Sequence, residues 1–152
     1  MSGSFLDTSA LLKLYHPEPG RDRMLALAAQ PDVRLFISQL TLIEIQSAFA
    51  KKVRSGLIAE TTLHELIGAF SFDIERERFH VAALDGEVFA AAEELIRTHA
   101  VRHTLRTLDA LQIASASQLH RDGLVDTIVA SDDTLCSVAR VEGLSVINPL
   151  RG

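Results

Sequence analysis

The 152-residue chain carries 15 lysines and arginines against 20 aspartates and glutamates, a formal net charge of −5, with 47% apolar and 5% aromatic residues. The length fits one domain, ~100–150 residues being typical, and a chain of this size buries ~70% of its unfolded surface, enough for a core without staples. The apolar content excludes intrinsic disorder. The single Cys136 excludes an internal disulfide and a cysteine-based zinc cage. No apolar run approaches the ~20 residues of a membrane span, and Met1-Ser2-Gly3-Ser4-Phe5-Leu6-Asp7 lacks the basic and apolar regions of a signal peptide. The expectation is one soluble, cytoplasmic domain over 1–152. The negative balance weighs mildly against bulk attraction for nucleic acid.

In chain order, the short apolar run 3–6 reads as a buried strand. Residues 9–15 read as a helix, stopped by His16-Pro17-Glu18-Pro19-Gly20. A second helix covers 21–30 and stops before Pro31, and 33–37 is a second strand. Leu40, Ile43, Ala48 and Phe49 then recur near helical spacing, and Lys51-Lys52 followed by Gly56 is a C-terminal stop signal. Helices over 61–75, 86–100, 108–119 and 133–140 alternate with short apolar runs over 79–84, 127–130 and 144–147. The last two helices end near Gly123 and Gly143. Strands separated by helices imply parallel βαβ units with helices on both faces of the sheet. The non-alternating Thr127-Ile128-Val129-Ala130 suits a sheet covered on both sides. The fold class is α/β.

Ligands of open α/β sheets bind outside the C-terminal ends of the strands, and four carboxylates fall there. Asp7 follows the first strand, Glu44 lies on the helix after the second, Asp109 lies in the first turn of its helix, and Asp132 follows the 127–130 run. Each has an ordinary structural role open to it. Asp7 and Asp132 suit helix caps, Thr41-Leu42-Ile43-Glu44 matches a capping box, and Asp109 complements a helix dipole. Their neighbours argue for more. Glu44 lies between Ile43 and Ile45, and Asp109 between Leu108 and Ala110-Leu111. Carboxylates in core-like sequence are expensive unless paired or bound to a cation. Convergence raises their pKa values unless a cation neutralises them. Mg²⁺ and Mn²⁺ prefer oxygen ligands. Such a cluster suits phosphoryl chemistry, in which the metal activates and orients water and stabilises the leaving oxygen. No phosphate-binding glycine loop and no Gly-x-Ser-x-Gly elbow is present, and the six histidines lack metalloprotease spacing.

Four stretches carry a family resemblance over essentially the whole chain. They are Phe5-Leu6-Asp7-Thr8-Ser9-Ala10-Leu11-Leu12-Lys13-Leu14-Tyr15, Ser38-Gln39-Leu40-Thr41-Leu42-Ile43-Glu44-Ile45, Leu105-Arg106-Thr107-Leu108-Asp109-Ala110-Leu111-Gln112, and Ile128-Val129-Ala130-Ser131-Asp132-Asp133-Thr134-Leu135 with Ile147-Asn148-Pro149. In this order they resemble the PIN-domain family, and within it the VapC-type toxins of toxin–antitoxin pairs. The resemblance implies a three-layer α/β/α sandwich with a central five-stranded parallel sheet. It implies endoribonuclease cleavage of single-stranded or structured RNA with one or two Mg²⁺ or Mn²⁺ ions. Asp7 and Asp109 would be the principal metal ligands, Glu44 and Asp132 would complete the cluster, and Ser9 would contact the metal shell or a phosphate. A cognate antitoxin and a homodimer are the implied partners. Ala130 stands where the family often has Thr, and Gln112 where His is frequent. Asp133 is the alternative to Asp132, which comes first after the strand.

Lys13, Lys51, Lys52, Arg54, Arg102 and Arg106 are candidates to line an RNA groove, with a solvated helix face as the alternative. Arg106, three residues before Asp109, is also a candidate partner for the acids when metal is absent. Leu63, Leu66, Ile67 and Phe70 fall at helical spacing and read either as a partner surface or as core. Two other functions stay open: a non-catalytic PIN-fold module that binds RNA or protein, and a housekeeping PIN nuclease without an antitoxin. A phosphatase-type domain also places Asp after the first strand, but its pattern needs Asp at the position of Ser9. Two divalent ions would offset about four negative charges, so the acidity does not count against an RNA substrate.

Overall fold

Phe5 and Leu6 are adjacent on the first strand yet enter two different cores, and that alternation sets the architecture. The computed structural model describes residues 2–151. Its elements run β1 (Ser2–Leu6), α1 (Thr8–Leu11), a 3₁₀ turn (Leu12–Leu14), α2 (Arg21–Ala28), β2 (Val33–Ser38), α3 (Gln39–Arg54), α4 (Glu60–Glu75), β3 (Phe79–Ala82), α5 (Gly86–His99), α6 (Thr107–Arg121), β4 (Thr127–Val129), α7 (Asp133–Val141) and β5 (Ser145–Ile147). The strands form one five-stranded sheet in the order β3-β2-β1-β4-β5, every pair parallel.

Each face of the sheet has its own apolar layer. Phe5, Phe36 and Ile128 pack under α5, α6 and α7, against Val88, Leu95, Ile113, Leu135 and Val138. Leu6, Leu35, Ile37 and Val129 pack on the other face against Leu11, Met24, Ile45, Phe49 and Phe70 of α1 to α4. This is the expected three-layer α/β/α sandwich. Gly3 is required where β1 meets the chain entering β4. A Cβ there would lie 1.8 Å from the Leu124 carbonyl oxygen, and the Gly3 carbonyl accepts from Asp126 N–H at 3.0 Å.

Four helices close with the same pair of reversed bonds. At the end of α3, Gly56 N–H donates to Val53 O and Leu57 N–H to Lys52 O; Gly123 and Gly143 end α6 and α7 in the same way. These glycines have φ of 77°, 74° and 90°, the left-handed conformation that the motif demands. Helix α4 ends identically, through Glu77 N–H to Ile74 O and Arg78 N–H to Asp73 O, but the left-handed residue is Glu77, at φ 58°.

The structure departs from several sequence expectations. The 9–15 helix begins at Thr8 and tightens into a 3₁₀ turn from Leu12, the 79–84 strand ends at Ala82, and the last strand begins at Ser145. Leu63, Leu66 and Ile67 are partly buried against the core beside buried Phe70, so this stripe is core-facing. Cys136 is buried, and burial pushes its thiol up to about 11. Among the described residues, no helix is long and apolar enough to cross a membrane.

Candidate active site

The C-terminal edge of β1 and β4 builds the first part of the site. Asp7 N–H donates to Val129 O at 2.9 Å, which fixes the end of β1 against β4. Asp7 then caps α1, its Oδ2 accepting from Ser9 N at 3.2 Å and from Ser9 Oγ at 2.6 Å. Ser9 Oγ in turn accepts from Ser131 N at 3.1 Å, so one hydroxyl spans the two strand ends. Asp7 is only 8% exposed. Burial pushes its carboxyl up to about 6; the Ser9 bonds oppose this, and the charges of Glu44 and Asp109 add to it. Asp132 caps α7, its Oδ1 accepting from Leu135 N at 2.8 Å. Asp133 is exposed and bound to Arg151 (2.6 Å) and Asn148 (3.2 Å). Of the two adjacent acids, it is Asp132 whose charge acts on Arg106.

Helix α3 supplies Glu44. It starts at Gln39 with Ser38 as the flanking residue, so Thr41 is already inside the helix and the expected capping box at Thr41–Glu44 does not form. Instead Glu44 Oε1 accepts from Thr8 Oγ1 and from Gln112 Nε2, each at 2.8 Å. Gln112 is 1% exposed. Its Oε1 accepts from Ser38 Oγ at 2.9 Å, and its Nε2 also donates to Thr41 Oγ1 at 3.1 Å. Sequence reasoning missed this buried network. The available signal was spacing: Gln112 lies three residues after Asp109, on the same helix face, and Thr8 follows Asp7 directly.

Asp109, 8% exposed, lies in the first turn of α6. Its Oδ2 accepts from Arg106 N at 3.4 Å and Arg106 Nε at 3.2 Å. Asp109, then Asp132 and Asp7, strengthen the hold of the Arg106 guanidinium on its proton. Glu44, Arg106, Thr107, Leu108 and Asp109 line a cleft of about 360 Å³, in which the Leu108 side chain is exposed. The remaining basic candidates are not joined to these acids by any bond among the described residues. Lys13 is 5% exposed and lies with Lys52 beside Glu18, each at 4.0 Å. Lys51, Arg54 and Arg102 are exposed.

The donor set suits a hard cation. Asp7 is a nearly buried carboxylate that forms no salt bridge among the described residues and is flanked by two further negative charges. Ser131 Oγ, beside Asp132, is buried without a hydrogen-bond partner. Among the described residues no three His, Cys, Asp or Glu side chains converge closely enough to hold an ion by themselves. An ion seated here would keep part of its shell as water, as Mg²⁺ characteristically does.

The model of the PIN domain family matches residues 4–141. Solved structures with the same fold include FitAcB from Neisseria gonorrhoeae, 20% identical, with a TM-score of 0.63 over 98% of this chain and 99% of that one. VapC20 of Mycobacterium tuberculosis, described as a Sarcin-Ricin loop cleaving toxin, is 17% identical, with a TM-score of 0.67 over 96% and 99%. VapBC2 from Rickettsia felis, bound to a DNA fragment from their promoter, is 19% identical, with a TM-score of 0.59 over 96% and 98%. No curated protein matches the chain by sequence.

Proposed function

The chain belongs to the PIN-domain family, and from that premise we propose that it is a Mg²⁺- or Mn²⁺-dependent endoribonuclease, the toxin of a toxin–antitoxin pair. The observation that carries this reading is the buried Asp7, without a salt bridge among the described residues and with the charges of Glu44 and Asp109 acting on it. In this reading Asp7 and Asp109 hold the ion or ions, and Glu44 and Asp132 complete the set, directly or through water. When bound, the metal supplies a Lewis acid that activates water and neutralises charge on the phosphodiester. The chain's own residues do the positioning. Ser9 fixes Asp7 against the β4 edge, while Thr8 and Gln112 fix Glu44. Water adds to phosphorus and the bond to the 3′ oxygen breaks, leaving a 5′-phosphate and a 3′-hydroxyl.

The toxin neighbours support an antitoxin partner, a cytoplasmic setting is part of the same proposal, and the acidic cleft offers complementary charge to a basic antitoxin segment. A homodimer, a single domain over 1–152 and an RNA target belong to the same proposal. The test is incubation of RNA with purified protein and Mn²⁺. Cleavage is expected with Mn²⁺, is lost in EDTA, and falls to background in Asp109→Asn, whose stability changes by less than about 1 kcal/mol because the arginine it pairs with is solvent-exposed. Cleavage that persists in EDTA and in Asp109→Asn refutes the mechanism. Intact RNA together with no Mn²⁺-dependent stabilisation of the protein points to the non-catalytic module.

A further inference from the structure

We propose that Arg106 exchanges partners: it neutralises Asp109 while the acids lack a cation, and it turns its guanidinium onto an RNA phosphate once a divalent ion takes Asp109. This rests on the nuclease reading above. The pair is one-sided. Both Arg106 bonds go to Asp109 Oδ2, from the backbone N and from Nε. The terminal guanidinium nitrogens make no hydrogen bond among the described residues, and neither does Asp109 Oδ1. The Arg106 side chain is 73% exposed while that of Asp109 is 11% exposed, so the acid is built in and the arginine is free to swing.

Charge decides which partner wins at Asp109. A divalent ion carries twice the charge of a guanidinium and approaches the carboxylate oxygens at ~2.0–2.1 Å. Because the Arg106 side chain is solvent-exposed, its ion pair resists such displacement by only about two- to five-fold in the equilibrium. The released guanidinium stays charged, and its planar fork of donors matches phosphate oxygens. Of the residues lining the cleft, Arg106 is the one cation, whereas Lys13 and Lys52 are committed to Glu18. A phosphate held by Arg106 therefore sits in the same cleft as Glu44 and Asp109.

The two halves of the exchange have opposite signs, which separates them from a structural role. In Arg106→Ala, Mn²⁺ is expected to bind about two- to five-fold more tightly, read by Mn²⁺ electron paramagnetic resonance with no RNA present. The same variant, loaded with Ca²⁺ and with the RNA shown intact on gels, is expected to bind single-stranded RNA more weakly. Its plot of log affinity against log salt should be shallower by about 0.7, one phosphate contact on a single strand. Arg106→Lys keeps the charge without the fork and should fall between wild type and Arg106→Ala in RNA affinity. Unchanged or weaker Mn²⁺ binding by Arg106→Ala overturns the exchange, and so does an unchanged salt slope. If the wild type binds Mn²⁺ and the variant matches it, only the exchange fails; if the wild type binds no Mn²⁺ at millimolar concentration, the metal-site reading falls with it.

Discussion

Asp7 carries two obligations at once. It caps α1 through Ser9 N, and it holds a charge in a place where burial disfavours charge. The cap forms and leaves room for the proposed metal role, because both Ser9 bonds fall on Oδ2 and Oδ1 accepts no hydrogen bond among the described residues. The conflict is measurable. The carboxyl titrates near the ordinary aspartate value of 3.8 in the unfolded chain and at about 6 when folded. Between these values the folded state binds the proton more tightly, so the contribution of Asp7 to stability is lost as pH rises from about 4 to about 6 and stays lost above. The shift corresponds to about 3 kcal/mol. Asp7→Asn keeps a cap and removes the charge. It is expected to exceed wild type in stability by about 2–3 kcal/mol near pH 7.5 in EDTA, and to equal it near pH 3.5. Urea unfolding at both pH values checks this, and a difference independent of pH would show that burial of the charge is not the cause.

At the scale of elements, the sequence placed the end of α4 at Glu75 as observed, but only at α3, α6 and α7 did a glycine show how the chain turns there. Gly56, Gly123 and Gly143 announce the ends of α3, α6 and α7, since a left-handed residue costs glycine nothing in sterics. The end of α4 carries the same motif on Glu77, which no composition rule flags. Glu77→Gly should therefore stabilise the fold by about 0.5–1 kcal/mol, the left-handed strain relieved less the extra chain entropy of glycine; thermal and urea denaturation would show it, and no gain would mean that Glu77 holds this conformation without strain. The capping box at Thr41–Glu44 failed for a different reason. Strand β2 runs directly into α3 at Ser38, so the helix starts before the residues whose pattern suggested its start. The break of the 9–15 helix into a 3₁₀ turn was equally illegible, because apolar spacing over one or two turns does not separate the two geometries.

Across the whole molecule, the parallel sheet and its two helical layers were legible because apolar runs and amphipathic helices alternate along the entire chain. The four acids were legible because each follows or faces a strand end. What joins the layers was not. Gln112 belongs to α6 on one side of the sheet, yet bonds to Ser38, Thr41 and Glu44 at the end of β2 and along α3 on the other. Such cross-layer pairing is a product of three-dimensional proximity and leaves no periodic trace. Gln112→Leu keeps the volume and deletes the amide, stranding a buried serine hydroxyl and one carboxylate bond. A loss of about 1–3 kcal/mol is expected in chemical denaturation, together with reduced RNA cleavage as Glu44 loses its orientation; a variant as stable as wild type would show that these groups find other partners.

The sheet order also has a consequence in time. β1 is made first but lies at the centre, with β4 as one of its two neighbours. Ribosomes add ~5–20 residues per second, so the 125 residues that separate Asp7 from Asp132 (132 − 7) take about 6–25 s to synthesise. Until β4 and α7 emerge, the end of β1 has no Val129 to anchor Asp7 and no Ser131 to meet Ser9. A growing copy of the proposed nuclease therefore lacks its complete acidic cluster until the last part of the chain has been made.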